Sequence, residues 1–354
     1  NRWNAHRNST DGSASYRLES ERLCLLDDAN PETNRRLSIR VLHFPGVPFL
    51  SMPLWIPITI AAAFFQNLRS ALQKHLKGQL SDVGATTTRF FYAWPLAILY
   101  LIGILEYSEA SLPGLNTEFW IFLILGSLSQ IFFTFLLIWL FSFRNFAVGN
   151  TFSKTETAQI ALLGFILLGD RLSLTAIVAI ILSVFGVLML SAGKAGLSFS
   201  NLLRDITEKS TLLGLASGFF LGASVVLFRG ASLALEGENN FVKAATSVAF
   251  STTLQTLLLC LYLRFREPGE ISKLFRYWKK AGMVSLVSIL GSIGWFTAFT
   301  IENASYVRTL GQVELVFSLV FSILVFREKV TRLEIGGMVF IIGGIVLLLF
   351  FRSG

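Results

Sequence analysis

Apolar stretches about as long as a membrane-crossing helix, which needs about 20 residues, recur along most of this chain. Only 15% of the residues are charged, against about 25% in soluble domains, and most of these charges lie between the stretches. One soluble core could not bury so many stretches. The sequence therefore predicts an all-α membrane protein with ten transmembrane helices, over residues 54–76, 85–106, 119–141, 146–168, 174–191, 212–235, 241–263, 281–301, 305–326 and 333–351.

The second half of the apolar region repeats residues of the first half at a constant spacing. Glu314 follows Glu156 by 158 positions, and the same spacing joins further pairs: Asn145 and Asn303, Thr151 and Thr309, Asp170 and Glu328, Gly186 and Gly344, and Leu190 and Leu348. Each half holds five predicted helices, an odd number, so the second half must enter the membrane upside down relative to the first. We therefore predict two inverted five-helix repeats, a transporter architecture with its substrate site near the midplane between the halves.

Composition divides the chain into four segments. Residues 1–51 are polar and Arg-rich, and we expect either a disordered tail or sequence that precedes a true start at Met52. The first repeat covers residues 52–191, a polar linker covers residues 192–210, and the second repeat covers residues 211–354. Each repeat thus has the length of one five-helix unit.

Ionisable side chains inside the predicted helices point to a site, because each costs about 2.5–3.5 kcal/mol at the bilayer centre. Glu156 and Glu314 could bind a cationic group or exchange a coupling proton, or they could form structural ion pairs with arginines of other helices. Arg89 and Arg229 lie near segment ends, where they could instead reach the headgroups. The basic residues inside the helices outnumber the two acids, which favours an anionic or zwitterionic substrate; they are Arg69, Arg89, Lys154, Arg229 and Arg308.

Ten candidate substrate-binding residues share a charged, polar or aromatic side chain at the depth of a central cavity: Gln66, Arg69, Gln130, Trp139, Lys154, Glu156, Trp295, Arg308, Gln312 and Glu314. The glutamines could hydrogen-bond a ligand or could bond across helices, a contact worth about 0.6–2 kcal/mol. Gly214, Gly218 and Gly222 repeat every fourth residue in the sixth predicted helix. This spacing favours close helix packing over a hinge.

Motifs for other functions are missing from the sequence. It holds no nucleotide-binding, hydrolase or metalloprotease motif, and its three histidines and two cysteines have no metal-ligand spacing. The net charge of +8 comes largely from short loops, where lipid headgroups attract it, so we do not expect nucleic acid as a partner. We expect no catalytic residue, metal or cofactor. Two alternatives to transport stay open: a membrane scaffold or sensor without turnover, and an intramembrane lipid-modifying enzyme.

Four short motifs in and beside the predicted helices resemble a known family. They are Leu168-Gly169-Asp170-Arg171, Phe326-Arg327-Glu328-Lys329, Met52-Pro53-Leu54-Trp55-Ile56-Pro57 and Phe152-Ser153-Lys154-Thr155-Glu156. Together with the two five-helix repeats, these motifs resemble the drug/metabolite transporter superfamily, in particular its EamA branch. The motifs indicate a fold and do not identify a substrate.

The resemblance to the EamA branch implies a secondary active transporter, usually an exporter, that moves a small polar metabolite such as an amino acid by alternating access across the bacterial inner membrane. It implies a central cavity formed by the first, third, fourth, sixth, eighth and ninth helices, with the fifth and tenth at the periphery. The expected partners are a small-molecule substrate, a coupling proton as one option, and membrane lipid, for a monomer or a homodimer. The family is expected to have cytoplasmic termini, whereas basic residues in the odd-numbered loops predict external termini.

Overall fold

The computed structural model describes residues 53–74, 76, 79–140, 143, 146–196, 207–317, 319 and 330–350. The regular structure of these residues is helical: α1 (Trp55–Lys74), α2 (Asp82–Phe91), α3 (Ala93–Tyr107), α4 (Thr117–Leu140), α5 (Phe146–Ser153), α6 (Glu156–Leu168), α7 (Leu174–Lys194), α8 (Lys209–Ala234), α9 (Asn240–Arg266), α10 (Glu270–Arg276), α11 (Trp278–Ile301), α12 (Ala304–Gly311) and α13 (Arg332–Phe350). The expectations for residues 1–51, for residues 197–206 of the linker, for Asn145 and for the motif at residues 326–329 lie outside the described residues.

Seven helical segments are long and apolar enough to cross a membrane: Asp82–Tyr107, Thr117–Leu137, Leu174–Lys194, Lys209–Ala234, Asn240–Arg266, Trp278–Ile301 and Arg332–Phe350. They correspond to the second, third, fifth, sixth, seventh, eighth and tenth predicted helices. The described residues therefore confirm an all-helical architecture with several membrane-crossing helices. They do not confirm ten transmembrane helices.

Polar residues interrupt the apolar character of the first, fourth and ninth predicted helices, and residues 318 and 320–326 of the ninth lie outside the described residues. α1 has 20 residues, but it carries Gln66, Asn67 and Arg69 and is not among the seven segments that are apolar enough to cross a membrane. The fourth predicted helix is divided into α5 and α6 by a turn at residues 154–155. The ninth begins as α12, turns at Gln312 and resumes as helix at residues 313–317.

The turns in the fourth and ninth predicted helices lie at equivalent positions of the two repeats, since Lys154 and Gln312 are 158 residues apart. Each turn is closed by a hydrogen bond of the tighter 3₁₀ type. The amide of Lys154 donates to the carbonyl of Thr151 at 3.1 Å, and the amide of Gln312 donates to the carbonyl of Thr309 at 3.3 Å. The two sequence repeats therefore also share a break in the helical backbone at the same position.

α7 and α13 pack against each other through close contacts at glycines. A Cβ atom on Gly186 would lie 2.6 Å from the carbonyl oxygen of Gly337, and one on Gly344 would lie 2.7 Å from the carbonyl oxygen of Ala179. The two contacts exchange under the 158-residue shift, which takes Gly186 to Gly344 and Ala179 to Gly337. The later residue of α7, Gly186, contacts the earlier residue of α13, Gly337, so the two helices run antiparallel. A local two-fold axis perpendicular to both helices therefore relates the two contacts.

The glycine spacing in α8 brings this helix against the backbone of α5 and α6. A Cβ atom on Gly214 would lie 1.9 Å from the carbonyl oxygen of Gly149, and one on Gly218 would lie 2.7 Å from the carbonyl oxygen of Ser153. At Gly222 the added atom would lie 3.2 Å from the Ile160 side chain. These short distances support the packing interpretation of the three glycines, since no larger residue fits at Gly214 or Gly218 without a shift of the backbone.

Candidate functional site

A cavity of about 690 Å³ with charged and polar side chains among its apolar walls lies between the two halves of the apolar region. Its walls come from α1, α2, α4 and Lys154 of the first half, and from α8, α9, α11, α12 and Glu314 of the second half. Among the described residues, α7 and α13 contribute nothing to the walls, in agreement with the expected peripheral position of the fifth and tenth helices. α2 and α9, which the resemblance did not place at the cavity, also line it, through residues such as Arg89 and Gln255.

Seven of the candidate residues selected from the sequence meet at this cavity: Gln66, Arg69, Gln130, Lys154, Trp295, Arg308 and Glu314. Trp139, Glu156 and Gln312 are not part of its described lining. Trp139 lies on the outside of α4 with 57% of its surface exposed. It follows the lining residue Leu137 by two positions, which is about 200° around a helix, so the two side chains point to opposite sides.

Gln312 lies behind the lining, at the turn of the ninth predicted helix, and is buried. Its Nε2 atom donates to the hydroxyl of Thr157 in α6 at 2.8 Å, and the hydroxyl of Ser183 in α7 donates to its Oε1 atom. The side chain thus joins the turn to two helices of the other half. In this geometry Gln312 holds α6 and α7 against the turn and does not itself reach the cavity.

Glu156 and Arg308 form a buried ion pair across the two halves, with 5% and 9% of their surfaces exposed. The Nε atom of Arg308 donates to Oε1 of Glu156 at 2.9 Å, and one terminal nitrogen donates to the same oxygen. The guanidinium also lies over the ring of Trp295, 5.2 Å from the ring centre. Glu156 therefore neutralises Arg308, a residue of the cavity wall. Of the two roles considered for Glu156 from the sequence, this geometry is the structural ion pair.

Glu314, the repeat counterpart of Glu156, has a different environment. It lines the cavity, and its Oε2 atom accepts a hydrogen bond from the side-chain amide of Gln66. Its backbone carbonyl accepts a hydrogen bond from the side chain of Asn67 at 2.7 Å. In the described part of the chain its carboxylate forms no salt bridge, so its charge is available to the cavity.

Arg69 and Arg229 also correspond, because Leu68-Arg69-Ser70-Ala71 resembles Phe228-Arg229-Gly230-Ala231 at a shift of 160 residues, but the two arginines have different surroundings. The Nη1 atom of Arg229 donates to both carboxylate oxygens of Asp170 at 2.8 and 2.9 Å. Its Nε atom donates to the backbone carbonyls of Phe299 and Glu302. Arg69 instead lines the cavity, where its buried Nε atom has no hydrogen-bond partner among the described residues. One arginine of the pair therefore stabilises the structure, and the other faces the cavity.

The model of the EamA-like transporter family matches the chain twice, over residues 53–192 and 209–350. The chain belongs to this family. The two matches confirm the resemblance read from the sequence and identify a multi-pass membrane transporter of the drug/metabolite transporter superfamily. No curated protein gives a significant match. A solved structure described as "Crystal structure of protein" has 14% identity and a TM-score of 0.62, covering 85% of this chain and 99% of that chain. At this identity the likeness shows the fold alone.

Two residues of this EamA-like transporter that line the cavity were not among the selected candidates. Arg89 lies in α2 with its Nε atom buried, and no described residue accepts a hydrogen bond from that atom. Gln255 in α9 is buried and donates to Oε1 of Gln130 at 2.7 Å. A signal for Arg89 does exist, because Asp82, Thr86 and Arg89 follow a helical spacing and form one polar stripe.

Proposed function

We propose that this EamA-like transporter is a secondary active transporter that exports a small polar metabolite, such as an amino acid, across the bacterial inner membrane by alternating access. The observation that carries this proposal is the cavity with charged side chains in its walls, which come from both family matches. Its volume of about 690 Å³ lies within the range of about 300–1,000 Å³ that is typical of small-molecule sites. A binding site between two repeats is what alternating access requires.

An inverted arrangement of two five-helix repeats would let the cavity open to either side. The antiparallel contact between α7 and α13 supports this arrangement, because a two-fold axis perpendicular to two bilayer-crossing helices lies in the membrane plane. The matched turns at Lys154 and Gln312 support it as well, since interrupted helices form substrate and ion sites in other transporters. Rocking of one half against the other would then expose the cavity to each side in turn.

Glu314 is the residue that we propose for coupling to a proton. Its carboxylate lines the cavity and is held by the amide of Gln66, whereas the carboxylate of Glu156 is bonded to Arg308. Protonation of Glu314 would remove a negative charge from the wall and weaken its contact with α1. Such a change in contacts can shift the balance between two conformations of the protein.

Export from proteoliposomes tests the proposal on many candidate substrates at once. Vesicles with purified protein are loaded with a bacterial metabolite extract, and a pH gradient is imposed. Mass spectrometry then measures the loss of each metabolite relative to protein-free vesicles. We expect protein-dependent loss of a few polar metabolites, chemically unchanged and dependent on the gradient.

Two variants make the export experiment specific. Glu314→Gln is expected to abolish the dependence on the pH gradient, whereas Glu238→Gln, in the exposed loop after α8, should behave as wild type. Retention of every metabolite would contradict transport and favour a scaffold or sensor. A chemically altered metabolite or lipid would favour an enzyme instead.

A further inference from the structure

Two arginines of the cavity wall have unused hydrogen-bond donors. Arg69 in α1 and Arg89 in α2 both line the cavity, and the Nε atom of each is buried without a hydrogen-bond partner among the described residues. Both guanidinium groups line the same cavity, where like charges repel each other. A buried donor without an acceptor lowers stability, and a second cation nearby lowers it further. An occupant of the cavity that supplies acceptors would remove both penalties.

The other buried arginines show how this fold neutralises a guanidinium. Arg229 has the carboxylate of Asp170 and two backbone carbonyls, and Arg308 has the carboxylate of Glu156. Within the described ranges, Arg69 and Arg89 have no comparable ion pair. Arg229 thus has an acid bonded to it, whereas Arg69 has only the nearby charge of Glu314 across the cavity and no bonded acid among the described residues.

The balance of charge on the described lining is positive. Arg69, Arg89 and Lys154 face the cavity, against the acids Glu314 and Asp82, while Arg308 is neutralised by Glu156. Asp82 is exposed at the start of α2, where water screens its charge. The interior of the cavity therefore favours a negative charge on its occupant.

We propose that Arg69 and Arg89 form an oxyanion-binding pair, and that the metabolite carries a carboxylate or phosphate group that accepts hydrogen bonds from both. This inference names the substrate class of the transport site proposed above and rests on that proposal. Hydrogen bonds between two ions are about twice as strong as neutral ones, and the planar guanidinium fork matches the oxygens of either group. A bound oxyanion also reduces the repulsion between the two arginines.

Neutral groups on the wall define the rest of the occupant. Gln130 and Gln255 are bonded to each other at 2.7 Å, and the hydroxyls of Ser224, Thr252 and Ser288 also belong to the lining. These groups donate and accept hydrogen bonds without carrying charge. The portion of the metabolite away from its oxyanion therefore meets neutral hydrogen-bonding groups as well as the carboxylate of Glu314.

Inorganic phosphate is the first probe, because it is small enough to reach Arg69 and Arg89 regardless of the size of the natural substrate. The unfolding temperature of the purified protein is measured in phosphate and in chloride at equal pH and ionic strength. We expect stabilisation by phosphate that saturates with concentration. Arg69→Gln and Arg89→Gln should each weaken the apparent affinity about 10- to 100-fold. Arg266→Gln, at the exposed end of α9, should respond as wild type and measures the general salt effect of phosphate.

Chemical protection of the wild-type protein gives a second measurement, which holds even where a variant fails to fold. Phenylglyoxal modifies accessible arginines, and peptide mass spectrometry reports the rate at each position. We expect phosphate to slow the modification of Arg69 and Arg89 but not that of exposed Arg266. Equal rates with and without phosphate would overturn the proposal, as would equal stabilisation of wild type and both Gln variants.

Organic probes separate the two sources of an oxyanion. Succinate represents carboxylates, glycerol 3-phosphate represents phosphate esters, and glycerol and choline are the neutral and cationic controls. Stronger stabilisation by glycerol or choline than by every oxyanion would overturn the inference. Oxyanion binding without any export would refute transport and leave the oxyanion site standing. Export of a neutral or cationic metabolite would leave transport standing and refute the oxyanion site.

Discussion

The paired glutamates of the repeat show that equivalent positions in the sequence do not have equivalent roles. Glu156 is buried and bonded to Arg308, whereas Glu314 lines the cavity and is held by an amide. The difference arises from what each carboxylate meets: Arg308 reaches Glu156 from the second half, and its repeat counterpart, Asn150, carries no charge. One acid is therefore structural, and the other is available to a substrate or a proton.

Removal of the Glu156 charge is expected to destabilise the protein. Glu156→Gln leaves Arg308 buried without a counter-charge, a change that typically costs about 3–5 kcal/mol. Glu314→Gln weakens one hydrogen bond and should cost about 1 kcal/mol. Denaturation of the purified variants compares the two.

A double variant isolates the ion pair from other effects of these substitutions. Glu156→Gln combined with Arg308→Gln should recover part of the lost stability, because no uncompensated charge remains. A Glu156→Gln protein as stable as Glu314→Gln would contradict the structural role of the pair.

At the scale of elements, α8 depends on glycines at its contact with α5. Gly214→Ala places a Cβ atom 1.9 Å from the carbonyl oxygen of Gly149, so the backbones must separate. Overpacking of this kind costs about 1–3 kcal/mol or more. The matched control is Gly282→Ala in α11, where a Cβ atom meets nothing within 4 Å. Thermal unfolding should show a clear loss for the first variant and none for the second; equal unfolding temperatures would refute the close packing.

The short helix α10 is fixed to the segment before α2 by polar contacts of Glu270. The amide of Ser81 donates to Oε2 of Glu270 at 3.0 Å, and the ammonium of Lys273 donates to Oε1 at 2.5 Å. Burial by itself would raise the pKa of Glu270, but these hydrogen bonds and the charge of Lys273 outweigh it, so the pKa is lowered. Leu274 lies one turn further along on the same face and is fully buried, so this face of α10 packs against the protein.

The lowered pKa of Glu270 gives stability a defined dependence on pH. A carboxyl with a lower pKa in the folded protein stabilises it above the unfolded value, about 4.3 for Glu, and loses this contribution as pH falls through the folded value. Wild type should therefore unfold at a higher temperature than Glu270→Gln near neutral pH, and the difference should shrink below about pH 4. Exposed Glu236, changed to Gln, should show no such trend. A difference that stays constant with pH would contradict the ionised contacts of Glu270.

For the whole molecule, the sequence predicts the membrane class, the two repeats and seven of the residues that line the cavity, because hydropathy and a 158-residue spacing are properties of the chain itself. The breaks at Lys154 and Gln312 escape prediction, since an apolar stretch averages over one polar turn. The contrast between Arg69 and Arg229 also escapes it. Their local sequences are similar, and only the packed helices bring Asp170 to one of them.

Thiol labelling from each side of the membrane tests alternating access, the central claim, most directly. Ser292→Cys, on the cavity wall, is prepared in a chain whose Cys24 and Cys260 are changed to Ser. A membrane-impermeant maleimide is then added to intact cells and to inside-out vesicles. Val339→Cys is the lipid-facing control, because Val339 lies in α13 with 64% of its surface exposed, and it should react from neither side.

We predict that Ser292→Cys reacts from both sides, because a cavity between two rocking halves opens to each side in turn. Saturating substrate should change the ratio of the two rates. Reaction from one side only, even after prolonged exposure and with substrate present, would contradict alternating access through this cavity.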